Sequence, residues 1–206
     1  MSTRRFADKQ PDNFAFTPEN LEWAHKTIAK YPQGREASAV IPLMWRAQEQ
    51  CGGWLPRPAC EVIAAMLGIP KIRAYEVATF YTMFNLSPVG RTHVQVCTTT
   101  PCWLRGSEEV VAACQKIMGT KEGEVSADGQ FSYVEVECLG ACVNAPMVQV
   151  DKDFYEDLDG PRTEALLNAF KAGQRPVPGP QIDRQKSAPV GGPQTLTDPS
   201  LYSGGE

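Results

Sequence analysis

Apolar and polar positions repeat with two different periods along this chain, and the change of period divides it. In the first part the spacing is helical. Leu21, Ala24, Ile28 and Tyr31 stand three, four and three apart, which is one face of a helix. Thr17 followed by Pro18 predicts where it starts: a capping side chain, then a proline where the missing N–H costs nothing. Phe16 and Leu21 stand where a hydrophobic staple would place them, and Gly34 ends the region. A second helix is predicted over 36–50, with Pro42 held to its first turn or to a kink. A third is predicted over 57–67 and a fourth over 72–84. In the fourth, Val77, Phe80, Tyr81 and Phe84 form an aromatic stripe suited to core packing or docking. Four helices with short connections predict a small bundle.

Beyond Arg91 the period shortens to two. Residues 92–96 alternate as a strand, and 131–136 do so again. Between them Ser107 suits a helix cap, Glu108 and Glu109 suit the positive end of the dipole, and Gly119 closes the helix. Residues 147–150 and 154–155 read as a hairpin turned through Asp151-Lys152-Asp153. A last helix is predicted over 160–170, stopped by Gly173. The order β-α-β-β-β-α, with a helical crossover between the first two strands, makes those strands parallel and the hairpin antiparallel. This is the order of a thioredoxin-like sheet. The expected fold class is therefore α/β. Residues 1–15 form a flexible N-terminus and 16–86 a helical bundle. Residues 87–173 form a thioredoxin-like domain with a mixed four-stranded sheet, and 174–206 a tail rich in Pro and Gly. That tail cannot bury a core of its own, so it is a disordered end or a strap that orders against a partner.

Composition narrows the function without naming it. The chain has 206 residues, 42% of them hydrophobic, and a net charge of −4 with no dense basic run, which disfavours nucleic acid as a partner. No apolar stretch is long enough to span a bilayer. Arg4 and Arg5 have no apolar segment behind them, so the N-terminus does not read as a secretory signal, and Asp8 and Asp12 come early for a mitochondrial presequence. There is no GxGxxG, GxxxxGK[ST], GxSxG or HExxH.

The candidate chemistry lies in two cysteine pairs. Four residues separate Cys97 from Cys102, three separate Cys138 from Cys142, and 35 lie between the pairs. Each pair follows a predicted strand, so loops leaving two parallel strands at one edge bring four thiolates together. Such a set suits a soft metal centre. Spacings wider than CxxC point toward an iron–sulfur cluster, and two pairs match a [2Fe–2S] rhomb with two thiolates on each iron. Gly140 permits backbone geometry closed to other residues, Pro101 stiffens the approach to Cys102, and Thr98, Thr99 and Thr100 offer hydroxyl donors. A structural zinc site uses the same four thiolates and stays open as an alternative. The odd total of seven cysteines excludes complete internal pairing and fits a reducing compartment. Cys51, Cys60 and Cys114 read as core residues, and His93 as a surface residue or one that supports the ligands from behind.

The segments Val96-Cys97-Thr98-Thr99-Thr100-Pro101-Cys102 and Glu137-Cys138-Leu139-Gly140-Ala141-Cys142-Val143-Asn144-Ala145-Pro146 resemble the two cluster loops of the small [2Fe–2S] subunit of the NADH dehydrogenase module of respiratory complex I. Gly52-Gly53-Trp54-Leu55 and the run from Tyr75 to Phe84 resemble helical segments of the same family, and the likeness covers about residues 17–172. It implies a [2Fe–2S] cluster on Cys97, Cys102, Cys138 and Cys142, and no complete active site on this chain. It also implies a flavoprotein partner that carries FMN and oxidises NADH, and a large iron–sulfur subunit in the same module. One electron would pass from reduced flavin to the cluster. The location implied is peripheral, on the inner face of a bacterial plasma membrane, with the mitochondrial matrix side as the alternative. The family also includes the equivalent subunits of NAD-linked hydrogenases and formate dehydrogenases, and a zinc-stabilised interaction module is a reading from a different class.

Overall fold

The computed structural model describes residues 4–192 and 194–202; the remaining positions of the N-terminal segment and of the tail lie outside them. The chain forms two units that divide between Arg91 and Thr92.

The first unit is helical. Helix α1 (Pro18–Ile28) starts as its sequence predicts, with the Thr17 hydroxyl accepting from the Asn20 amide at 3.3 Å. The second predicted helix opens as a tighter turn over Glu36–Ala39 and becomes α2 at Val40–Gln50, which puts Pro42 in the first turn, where it is tolerated. Helices α3 (Arg57–Met66) and α4 (Lys71–Phe80) follow. Leu43, Met44, Leu55, Ile63 and Phe84 are fully buried in one core with the alanines of α2, α3 and α4. Helix α4 ends four residues before the predicted limit because Tyr81 is extended, and this splits the aromatic stripe. Phe84 turns into the core while Phe80 is 77% exposed. Arg4 supplies capping donors there, reaching the carbonyls of Thr79 at 3.1 Å and Tyr81 at 2.7 Å.

The second unit is a sheet covered by helices. Strand β1 (Thr92–Cys97) leads through the short helix α5 (Thr100–Leu104) into α6 (Ser107–Met118) and then β2 (Phe131–Val136). Strands β3 (Val148–Val150) and β4 (Asp153–Glu156) form the hairpin, and α7 (Gly160–Lys171) follows. The sheet has five strands, not the four of the sequence pattern. The added strand, β5, is the pair Gly179–Pro180 in the segment read as a tail. Two residues, one of them a proline, leave no alternation to detect. The strand order is β2-β1-β3-β4-β5, with β1 parallel to β2, β4 parallel to β5, and the remaining neighbours antiparallel.

Val94, Val96, Tyr133, Val148, Val150 and Tyr155 pack on one core with Val110 and Cys114 of α6 and Leu166 and Leu167 of α7. Alternation along β1 therefore sends Cys97 away from the helix-covered core. Ser107 does not cap α6. Gly106 does, in a left-handed conformation, and the buried Ser107 hydroxyl has no partner among the described residues. Asp159 caps α7, its carboxylate accepting from the Arg162 amide at 2.8 Å. Asp159→Ala is expected to lower stability by about 1 kcal/mol, checked by urea unfolding.

Candidate metal centre

The parallel register pairs Cys97 with Val136, so β1 and β2 end level, and Cys97 and the loop that carries Cys138 leave from the same edge of the sheet. The first loop is tighter than its sequence implies. Pro101 lies in the first turn of α5, a helix not predicted at five residues, and this winds Cys102 back beneath Cys97. The two thiols are close enough for each to shift the ionisation of the other. In the second loop Gly140 holds a φ of +89°, which a side chain rarely tolerates, and a helical turn over Cys142–Asn144 follows. This geometry brings the sulfurs of Cys138 and Cys142 to 3.3 Å. The pairs also sense each other: Cys142 experiences the charge of Cys97, and Cys102 that of Cys142.

The two pairs differ in exposure. Cys97 and Cys102 are buried at 2% and 1% exposure and pack with Ala145 and Met147. Cys138 and Cys142 are exposed. Val143, which follows Cys142, is 63% exposed, and Trp103, which follows Cys102, is 56% exposed.

Donors converge on the inner pair. Burial pushes the Cys97 thiol up, but the Thr99 hydroxyl at 3.4 Å, the amides of Leu139 and Thr99, and the Cys102 thiol outweigh it, and its pKa is lowered overall. Cys102 goes the other way, to about 12, through burial and then through the neighbouring Cys97, against one favourable amide from Met147. Cys142 is raised by its hydrogen bond with Cys138. The fold thus eases deprotonation of Cys97 and opposes that of Cys102, whose charge a bound cation would have to offset.

Among the described residues no three His, Cys, Asp or Glu side chains are gathered around a single ion position. A lone tetrahedral zinc would set all four sulfurs about 3.8 Å apart, from Zn–S distances of about 2.3 Å. Two pairs of thiols suit the donor set of a two-iron rhomb, two sulfurs to each iron, and amides aimed at sulfur are the hydrogen bonds such clusters use. The residues present fit that group.

The other candidates stand apart. Cys60 and Cys114 are buried and their thiols are pushed up to about 12 by burial, as core residues would be, and Cys51 is half-buried. His93 joins neither pair. Its Nδ1 lies 2.8 Å from the hydroxyl of Ser132, its register partner on β2. The amide donors of Leu139 and Met147 have no signal in the sequence, because which backbone N–H reaches a sulfur depends on loop geometry that spacing does not encode.

A family model described as thioredoxin-like [2Fe–2S] ferredoxin matches residues 24–171. The chain is similar to a protein of Rhizobium meliloti (strain 1021) named as a subunit of NADH-quinone oxidoreductase, with 55% identity over 204 residues, covering 97% of this chain and 74% of that protein. It is 58% identical over 159 residues to the subunit of the same name in Rickettsia conorii (strain ATCC VR-613 / Malish 7), covering 77% of this chain and 95% of that one. Among solved structures, an NAD+-reducing [NiFe]-hydrogenase in its air-oxidized state shares the fold, with a TM-score of 0.55 at 20% identity, over 64% of this chain and 23% of that one.

Proposed function

This chain belongs to the thioredoxin-like [2Fe–2S] ferredoxin family, and from that premise we propose that it is the electron-transfer subunit of an NADH:quinone oxidoreductase, with Cys97, Cys102, Cys138 and Cys142 as the ligands of one cluster. One observation carries the assignment: four thiols stand as two pairs at the edge where two parallel strands end. When bound, a [2Fe–2S] group would accept and release one electron at a time. The chain's own residues do the rest. The rigid ends of β1 and β2 fix the two loops. The amides of Leu139, Thr99 and Met147 and the hydroxyl of Thr99 stabilise negative charge on the inner sulfurs.

The exposed pair opens the site to a neighbouring chain, with Val143 as apolar ground next to Cys142. The names carried by the relatives, subunits of NADH-quinone oxidoreductase, support a neighbour within such a complex. In this reading the immediate partner is a flavoprotein subunit with FMN and NADH, the electron passes between flavin and the outer cysteine pair, and the large iron–sulfur subunit completes the module. No helix among the described residues is long and apolar enough to cross a membrane. Membrane attachment, on the inner face of the bacterial plasma membrane, would therefore come through the complex.

The test is EPR of the anaerobically purified chain before and after dithionite, with metal analysis on the same sample. A silent oxidised state, a rhombic S = ½ signal on reduction and about two irons per chain are expected. A colourless, silent protein with one zinc per chain would leave the structural-module reading in its place.

A further inference from the structure

We infer that the segment from Arg175 to Val190 is a strap that clamps the Cys142 loop from behind, with Arg184 as the positioning residue; the part that concerns the cluster rests on the ligand assignment proposed above. The family match ends at residue 171, so the strap lies beyond it.

The strap is tied down along its length. Arg175 pairs with Asp151 and Asp153 at the hairpin turn. The hydroxyl of Tyr155 donates to the Pro176 carbonyl at 3.1 Å, and β5 pairs with Tyr155 and Glu156. The Gln181 amide then donates to the Glu156 carbonyl at 3.0 Å. Up to here the chain merely adds an edge to the sheet.

At Arg184 it reaches the proposed ligand loop. The guanidinium donates to the Asp157 carboxylate at 2.8 Å and to the Val143 carbonyl, next to Cys142, at 3.3 Å. Both members of this ion pair are buried, their side chains 8% and 6% exposed. The backbone of Asp157 is bound to the same loop, its amide donating to the Asn144 carbonyl at 2.7 Å. Asn144 closes the circuit: it is 2% exposed, and its side-chain amide donates to the Lys186 carbonyl at 3.0 Å and to Glu156. Arg184, Asp157, Asn144 and Lys186 thus lock the turn that carries Cys142 between the sheet and the strap.

A buried guanidinium has to be held by several acceptors at once: Nη1 donates to both the carboxylate and the loop carbonyl while Nε donates to the Ala188 carbonyl within the strap, and a lysine ammonium, a single point donor, cannot hold both ends of that fork. The consequence is functional as well as structural. The outer cysteine pair is exposed and lacks the tight packing of Cys97 and Cys102. Its loop therefore takes its order from the strap, and the guanidinium offsets the charge of the Asp157 carboxylate behind it.

The experiment compares the full chain with Arg184→Ala and Arg184→Lys. Amide hydrogen exchange over 139–146, measured before cluster loading, is expected to quicken in Arg184→Ala. After loading, cluster loss to a chelator should be about tenfold faster. The midpoint potential should fall, since removing a nearby cation destabilises the more negative reduced state. Arg184→Lys should restore the potential while only partly restoring loop protection. If Arg184→Ala fails to fold, the exchange of Arg184→Lys against wild type decides. Unchanged exchange over 139–146 and an unchanged cluster lifetime would overturn the inference. A wild-type chain that takes up no cluster sinks the functional reading instead, and the exchange comparison still judges the strap.

Discussion

Cys97→Ala and Cys138→Ala should each abolish the reduced-state EPR signal and cut bound iron to near zero, whereas Cys114→Ala should leave both intact. The contrast follows from position. Cys97 and Cys138 belong to different pairs, so losing either leaves one iron with a single thiolate and an open coordination site. Cys97 also collects donors from Thr99, Leu139 and Cys102, none of which an alanine could use. Cys114 is equally buried, but it faces Val110 and the sheet core on α6, and burial keeps its thiol protonated up to about 12. The measurement is iron content and EPR on the three variants purified in parallel. A signal that survives in Cys138→Ala would remove the outer pair from the ligand set.

Much of the fold was legible because two periods, 3.6 and 2, are written in separate stretches of the chain, and because Pro18 and Gly119 punctuate them. The parallel arrangement of β1 and β2 followed from the crossover helix alone. What stayed illegible was what tertiary contacts decide. Helix α4 stops at Phe80 although its pattern runs on, because Phe84 is drawn into the first unit's core. Ser107 looks like a cap, but Gly106, free to adopt a left-handed conformation, takes the position. The spacing of the cysteines announced a metal centre, but the inequality of the pairs did not show, since exposure depends on how Met147 and Ala145 cover one pair and leave the other bare. The strap was the least legible element. A run of prolines reads as a disordered end or as a strap against a partner, and nothing local reveals that Arg184 finds Asp157 of its own chain 27 residues before it.

Acid should destabilise the folded chain through His93, independently of the cysteines. In the folded state its pKa falls from the ordinary 6.5 to about 4, because burial disfavours the cation more strongly than the charge of Asp151 and a hydrogen bond with Ser132 support it. The Nε2 atom is shielded from solvent and has no partner among the described residues, so protonation would bury an unpaired N–H. The unfolded chain takes up this proton near pH 6.5 and the folded chain only near pH 4, so between those values the unfolded state binds more protons. Stability is therefore complete above about pH 6.5 and is lost as pH falls, by about 2 kcal/mol at pH 5 and about 3 kcal/mol near pH 4. His93→Gln keeps a side chain able to reach Ser132 but cannot titrate. Urea unfolding of wild type and variant at pH 7 and pH 5 isolates the effect, because every other titrating group cancels in the difference. The wild type should lose about 2 kcal/mol more than the variant over that interval. Equal losses would mean that His93 reaches water in the folded state.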